Sequence, residues 1–286
     1  MKSVLITGSS SGFGFLTALK FARNGYKVFA SVRETNSEGS QKLTQIRDTE
    51  NLALQIIQID VTDQESIDRE IQKFKDRGEN IDILINNAGY GISGPVEEFT
   101  IEEIKAEYNT NIFGVVRMIK SVAPIMREHK SGTIVNISSV SGLVVFPMHS
   151  VYSSSKYALE ALSDGWAFEL SHFGIKVVII EPGSFATDFS KNRKYPAAFN
   201  TPNSVYKELA ANYFSRYNKT HDTSKTALTS KVLDPAPVVD TIFKAATAKN
   251  PAPRYIVGND AKLYSTIHKL VPDKLWNFIL HKAYKW

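Results

Sequence analysis

The stretch Val4-Leu5-Ile6-Thr7-Gly8-Ser9-Ser10-Ser11-Gly12-Phe13-Gly14 decides how this chain reads. A short apolar run ends in three glycines spaced GxxxGxG, and helix-period residues follow from Phe13 to Asn24. Backbone without Cβ atoms can turn tightly there and approach a pyrophosphate. The free N–H groups and dipole of the following helix then face the phosphates. Gly8, Ser10, Ser11, Gly12, Phe13 and Gly14 are the candidate contacts. A Gly/Ser-rich turn with no ligand would carry the same residues; its place between a strand and a helix is what favours a phosphate turn. No Gly-Lys-Ser/Thr follows, which argues against a nucleotide-hydrolysing loop.

Downstream, short Val- and Ile-rich runs alternate with longer helical patterns. Val4–Thr7, Lys27–Val32, Leu54–Ile59, Ile83–Asn86, Thr133–Ile137, Lys176–Ile180 and Tyr255–Val257 read as strands covered on both faces. Phe13–Asn24, Gln64–Asp76, Ile101–Glu128 and Tyr152–His172 read as helices. Strict alternation predicts an α/β fold: a three-layer, doubly wound, mostly parallel sheet with right-handed crossovers. Residues 1–286 are expected to form one domain of this kind. Two segments break the rhythm. Residues 188–233 carry no convincing strand and read as an insertion over the substrate, a lid, with a helix-like piece at Val205–Phe214. Residues 260–286 form a helical extension.

With 43% hydrophobic and 22% charged residues, the 286-residue chain can bury a sizeable core. A net charge of +5 with no Lys/Arg block gives no case for nucleic-acid binding, and a basic cleft for an anionic cofactor explains it equally well. There is no cysteine, so disulfides and thiolate metal sites are excluded, and no other metal site is expected. No apolar run approaches the roughly 18 residues that span a bilayer. The first strand leads at once into the glycine turn, so a cytoplasmic protein without a leader is expected.

The end of the second strand bears on which dinucleotide fits. An acid there would accept from the ribose 2′-OH of NAD; this strand ends Val32-Arg33-Glu34, and a guanidinium suits the 2′-phosphate of NADP. Arg33 paired with Glu34 in solvent is the plain alternative. After the third strand, Asp60-Val61 could meet the adenine, or Asp60 could serve the following helix as a cap.

Tyr152-Ser153-Ser154-Ser155-Lys156 places a phenol and an ammonium on one helix face. Reducing a ketone by hydride leaves an alkoxide that needs a proton. A phenol of pKa about 10 supplies it poorly near neutrality, unless a nearby positive charge stabilises the phenolate. Alone the pair is unspecific. Ser139, at the end of the strand Thr133–Ile137, could orient the substrate oxygen or be an ordinary turn serine. Asn87-Ala88-Gly89 closes the fourth strand with small residues that admit a cofactor, or simply turns. Asn111 sits in a helix where Asn is mildly unfavourable, which hints at a buried role.

Thr7-Gly8-x-x-x-Gly12-x-Gly14, Asn86-Asn87-Ala88-Gly89, Asn111, Ser139, Tyr152-x-x-x-Lys156 and Pro182-Gly183-x-x-x-Thr187 together resemble the short-chain dehydrogenase/reductase family over about residues 1–188. The resemblance implies a Rossmann-type sheet of seven parallel strands. It implies Tyr152 as acid/base, Lys156 lowering its pKa and holding the nicotinamide ribose, Ser139 orienting the carbonyl, and Asn111 holding a water in a proton relay. Pro182, Gly183, Phe185 and Thr187 would border the nicotinamide and pyrophosphate. Many NADP-dependent members carry Lys or Arg just before the second glycine; here Ser11 stands there, so the NADP expectation rests on Arg33.

Local similarity around Tyr90–Pro95 points to the hydroxysteroid and retinol dehydrogenase branch. Phe146, His149, Phe189 and Tyr195 are candidate pocket residues for a hydrophobic ketone, aldehyde or secondary alcohol, with core packing the alternative for the aromatic ones. The C-terminal piece mixes Leu275, Trp276, Phe278, Ile279 and Leu280 with Lys274, Lys282 and Lys285. Such a helix packs on its own domain or lies in a membrane interface, the former being expected. The long helices are expected to form a homodimer or homotetramer seam through Leu159, Leu162, Trp166 and Leu170, unless these serve the core. A membrane-associated lipid-modifying reductase and a non-catalytic dinucleotide sensor are the alternatives; the complete Asn111, Ser139, Tyr152, Lys156 set speaks against the sensor.

Overall fold

The apolar runs form seven parallel strands: β1 (Ser3–Ile6), β2 (Lys27–Val32), β3 (Leu54–Gln58), β4 (Ile83–Asn86), β5 (Gly132–Ile137), β6 (Ile175–Pro182) and β7 (Arg254–Val257). Their order is β3-β2-β1-β4-β5-β6-β7. The computed structural model describes residues 1–189, 192–200, 204–213 and 234–284. Neighbouring side chains point to opposite faces, so each strand feeds two cores. Val4, Ile6, Val28 and Ala30 meet α1 (Gly12–Arg23), α2 (Glu38–Glu50) and α8 (Ala236–Thr247) through Phe21, Leu43 and Ile242. Leu5, Phe29, Leu84 and Ile134 meet α3 (Gln64–Asp76), α5 (Val115–Glu128) and α6 (Ser150–Ser171) through Phe74, Met118 and Leu159. Burial on both faces is why the strands carry no polar alternation.

Three elements differ from the sequence reading. Helix α2 was not legible: it buries only Ser40 and Leu43, so its apolar stripe is nearly absent. The expected helix 101–128 is broken. It consists of α4 (Ile101–Tyr108), a π-helical turn (Asn109–Gly114) and α5. The wider turn puts Asn111 against the loop after β4, and π turns of this kind recur at functional sites. Leu159 lies 1% exposed in the protein's own core rather than at a seam, and Leu162, Trp166 and Leu170 are partly buried beside it.

The insertion is partly described. Residues 192–200 form a strap: Ser93 N donates to Lys194 O and Lys194 N donates to Gly91 O. Helix α7 spans residues 207–213. The rest of the expected lid, residues 190, 191, 201–203 and 214–233, falls outside the described residues, as do Lys285 and Trp286. At the C-terminus, α9 (Asn259–Leu270) and α10 (Asp273–Tyr284) fold back on the domain. Trp276 is buried against His268, and the Tyr284 ring lies 5.1 Å from that of Tyr213 on α7. Among the described residues no helix is long and apolar enough to cross a membrane.

Helix α2 matters because its first turn rests on the glycine turn. A methyl group added at Gly39 would lie 1.7 Å from Ser10 O. Replacing an interior helical glycine by alanine ordinarily stabilises a helix by about 1 kcal/mol. Here overpacking against backbone should dominate, at about 1–3 kcal/mol. Gly39→Ala should therefore lower the urea midpoint and weaken dinucleotide binding by fluorescence titration; a raised midpoint would contradict the packing.

Candidate active site

The crevice opens where β1 and β4 lie side by side while their connections diverge, the place where open α/β sheets bind ligands. Its floor is built by hydrogen bonds between two strand ends. Thr7 Oγ1 accepts from Asn87 N and Ala88 N, both at 3.0 Å. Asn87 Nδ2 donates to Thr7 O at 2.9 Å and Gly8 O at 3.0 Å. This leaves no room for a side chain at the first and last glycines of the turn. A methyl at Gly14 would lie 2.3 Å from Gly8 O, and one at Gly8, whose φ is +69°, 2.8 Å from Ala88 Cα. Ser11 is the N-cap of α1 but makes no side-chain cap, so the N–H groups of that first turn face the crevice uncapped.

The other side comes from β6. A methyl at Gly12 would lie 3.6 Å from Thr187 Cβ, which brings the glycine turn and the Pro182–Thr187 segment together. Phe185 packs edge-on to Phe13 at 6.0 Å. Asp260, at the start of α9, accepts from Ser184 N at 2.8 Å and sits under Gly183. Arg33 is exposed and makes no ion pair among the described residues, so pairing with Glu34 is not seen. The Oδ1 of Asp60 accepts from Thr62 N at 2.8 Å and Thr62 Oγ1 at 2.7 Å; Asp63, not Asp60, caps α3. Asp60 therefore turns the chain beside Val61.

Tyr152 and Lys156 lie one turn apart on α6, 7% and 6% exposed. Lys156 Nζ donates to Ile137 O at 2.9 Å and lies 5.8 Å from the centre of the Tyr152 ring. Asn111 Nδ2 donates to Tyr90 O at 2.9 Å and Ser155 Oγ at 3.2 Å, and its Oδ1 accepts from Tyr90 N at 3.1 Å. A methyl at Gly89 would lie 3.0 Å from Asn111 Oδ1 and 3.9 Å from Lys156 Nζ, so these three converge. Ser139 stands half-buried at the end of β5, its Oγ accepting from Ser141 N at 3.1 Å. Burial pushes the Lys156 ammonium down to about 8, against the opposing pull of Glu107 and Glu160.

The four predicted pocket residues separate. Phe189 packs against Tyr152 at 5.6 Å. His149 is buried, its Nδ1 2.9 Å from Tyr213 Oη and 3.0 Å from Pro147 O, a contact with α7. Tyr195 stacks on Phe199 at 5.9 Å within the strap. Of the four only Phe146 lines a cavity of about 610 Å³, together with Pro95, Val96, Met148, Trp276 and Leu280. That cavity adjoins Ser150, two residues before Tyr152. Sequence reasoning missed Thr7 as a bridging hydroxyl, Tyr90 as the partner of Asn111, Asp260, and the buried Glu107. It also missed a cross-strand pair at matching positions of β4 and β5, in which Asn86 Nδ2 donates to Asn136 Oδ1 at 2.8 Å. Of these only Glu107 left a signal, its place one helical turn before Asn111.

Comparison with known proteins agrees with this architecture. The profile of the family described as short chain dehydrogenase matches residues 2–197. The uncharacterized oxidoreductase YusZ of Bacillus subtilis is 34% identical over 98% of both chains. The 3-ketodihydrosphingosine reductase of Bacteroides thetaiotaomicron is 40% identical over 66% of each. A short-chain dehydrogenase structure from Streptomyces avermitilis superposes with a TM-score of 0.79 at 34% identity, over 94% of this chain and 92% of that one. ElxO with NADP bound gives 0.70 at 30%, over 90% and 96%. A family profile matching about two-thirds of the chain, a relative similar along its whole length, and a seven-stranded parallel sheet with its crevice at the β1/β4 divide lead to one assignment: the chain is an oxidoreductase of the short-chain dehydrogenase/reductase family.

Proposed function

We propose that the chain transfers hydride between NADP(H) and the carbonyl or secondary alcohol of an apolar small molecule, with Tyr152 as general acid/base. The observation that carries this is the convergence of Asn111, Gly89 and Lys156 beneath Tyr152 beside a glycine turn with an open helix end.

The residues fit a dinucleotide. The turn has no space for a side chain at Gly8 or Gly14, and α1 offers uncapped N–H donors to a pyrophosphate. Gly8, Ser10, Ser11, Gly12, Phe13 and Gly14 would hold the phosphates, and Asp60 and Val61 the adenine. Ala88, Gly89, Pro182, Gly183, Phe185 and Thr187 would hold the nicotinamide half, with Lys156 on its ribose. Arg33, exposed and unpaired, suits a 2′-phosphate. When bound, the dinucleotide supplies or accepts the hydride.

The chain's own residues handle the proton. In reduction the Tyr152 hydroxyl gives its proton to the substrate oxygen, and Ser139 Oγ holds that oxygen in line. Lys156, anchored on Ile137 O, sets a positive charge beside the phenol and stabilises the phenolate that forms. Asn111 keeps the inner end of the relay ordered.

The apolar substrate class rests on the 610 Å³ cavity, whose walls are mostly aliphatic and aromatic, and on the lipid-acting relative. Residues 188–233 would act as the lid on this side and 260–286 as its back wall. A second reading, membrane association, is favoured by the outer face of α10. There Leu275, Phe278 and Ile279 are exposed between Lys274 and Lys282. If it holds, the full chain should co-sediment with anionic vesicles, and a chain ending at Val271 should stay in the supernatant.

Two substitutions test the main reading. In an NADPH-oxidation assay over a panel of hydrophobic ketones and aldehydes, Tyr152→Phe should lower kcat by at least about 10³-fold while cofactor affinity stays within about twofold. Retained turnover would remove the mechanism. Arg33→Asp should weaken NADP binding by about tenfold or more and spare NAD; equal losses for both would remove the NADP preference.

A further inference from the structure

One buried group close to the crevice has no part in the chemistry described so far. Glu107, in the last turn of α4, is fully buried. Its Oε1 accepts from Ile92 N at 3.2 Å and lies 3.5 Å from Asn111 Nδ2. Its Oε2 is buried without a hydrogen-bond partner. Both contacts it makes need only a carbonyl oxygen, so glutamine would serve them. An unpaired buried carboxylate costs several kcal/mol where an amide costs far less. Burial therefore favours the neutral acid, and a nearby cation draws out its charge.

The charge has one evident counterpart. Asn111 lies between Glu107 and Ser155, and Ser155 precedes Lys156 on α6. Lys156 is the cation that attracts Glu107, and Glu107 is the first of the two acids that favour the charged form of Lys156. The groups facing Lys156 are Glu107 from α4 and Tyr152 and Glu160 from α6; Asn111, Ser155 and Ile137 O are neutral. Glu160 is already shared with Arg254, whose Nε is 3.3 Å from its Oε2. Tyr90 lies beside Glu107 and takes the Lys194 ammonium over its ring at 4.7 Å.

We propose that Glu107 is a positioning residue for the reaction: the buried counter-charge that keeps Lys156 an ammonium ion beside Tyr152, across the bridge formed by Asn111. This rests on the reading that Tyr152 and Lys156 conduct the proton transfer. Burial pushes the Glu107 carboxyl up to about 8 and Lys156 down to about 8, so Glu107 is largely protonated at neutral pH and takes up its charge over the same range in which Lys156 would lose its own. Losing the negative partner leaves only Glu160 to oppose desolvation and moves the lysine further down. The ammonium is then lost earlier as pH rises.

The test is the pH profile of kcat for NADPH-dependent reduction of the best carbonyl of the panel. Glu107→Gln keeps the acceptor for Ile92 N and removes the charge. Its alkaline limb should move to lower pH by about one unit, and Glu107→Asp should return it toward the wild type. A glutamine variant with reduced activity but an unmoved limb would show a structural role and overturn the proposal, as would unchanged activity. Carbon-13 NMR titration of the wild-type holoenzyme decides independently of how the variants fold. A Glu107 carboxylate that ionises at or below the alkaline limb supports the counter-charge, and an acid still protonated above it overturns it. If Tyr152→Phe keeps turnover, the underlying reading fails; if only Glu107→Gln behaves as wild type, the reading stands and this proposal falls.

Discussion

The hydroxyl of Thr7, receiving the N–H groups of Asn87 and Ala88, is the contact on which the crevice depends. Parallel strands leave backbone groups unpaired at their ends, and buried ones must find partners. Here β1 and β4 satisfy each other: Thr7 takes two donors from the end of β4, and the Asn87 amide returns two to the start of the turn. Because these neighbours serve one another, the N–H groups of α1 are not consumed by the fold. The same closeness forbids side chains at Gly8 and Gly14. The open helix end and the bare turn are thus two consequences of one hydrogen-bonded seam.

Helix α6 carries the second half of the arrangement, with Tyr152, Lys156 and Glu160 on one face at four-residue steps. Small buried serines let it sit close to its neighbours: Ser155 Oγ donates to Tyr152 O at 2.8 Å, and Ser163 Oγ accepts from Asn136 at 2.9 Å. Its lower end is held by charge. Arg254 on β7 reaches Glu160 and Glu181, each at 3.3 Å, and Asp164 at 2.6 Å. Burial pushes Glu181 up to about 8, with Glu160 close by adding to the rise. One guanidinium thereby ties α6 to the two strands behind it. The acid at 160 acts upward on Lys156 and downward on Arg254, which links the phenol's surroundings to the far edge of the sheet.

The strands were legible because burial on both faces leaves them mostly apolar, and the glycine turn because absent side chains are visible as glycines. Other features had no such trace. Helix α2 buries one leucine and one serine, so no stripe marks it. The π turn at Asn109–Gly114 changes hydrogen-bond spacing without changing composition, and the pattern through Ile101–Glu128 runs across it. Glu107 stands one turn before Asn111 but reads as one more acid in the Glu102, Glu103, Glu107 series, although of the three only Glu107 is buried in the core. His149 shows the reverse: a histidine near a tyrosine suggests chemistry, while its neighbour is Tyr213 of α7, in an insertion whose folding sequence spacing could not reveal.

The two halves of the crevice differ in legibility for a physical reason. A cradle for phosphates is made of backbone, and backbone approach demands particular residues at particular steps. A largely apolar cavity demands chiefly volume, and Pro95, Val96, Phe146, Met148, Trp276 and Leu280 reach it from three separate segments, beside the polar His268 and Asp273. Any of several residues would meet that demand, so no spacing records it. Much of that wall belongs to α10, which rests on the domain through Trp276 and Tyr284 and leaves its opposite face exposed. Changes in α10 can therefore reshape the cavity while Thr7, Asn87 and the glycine turn stay untouched. In the reading proposed above, substrate preference varies through this wall while the phosphate turn stays fixed.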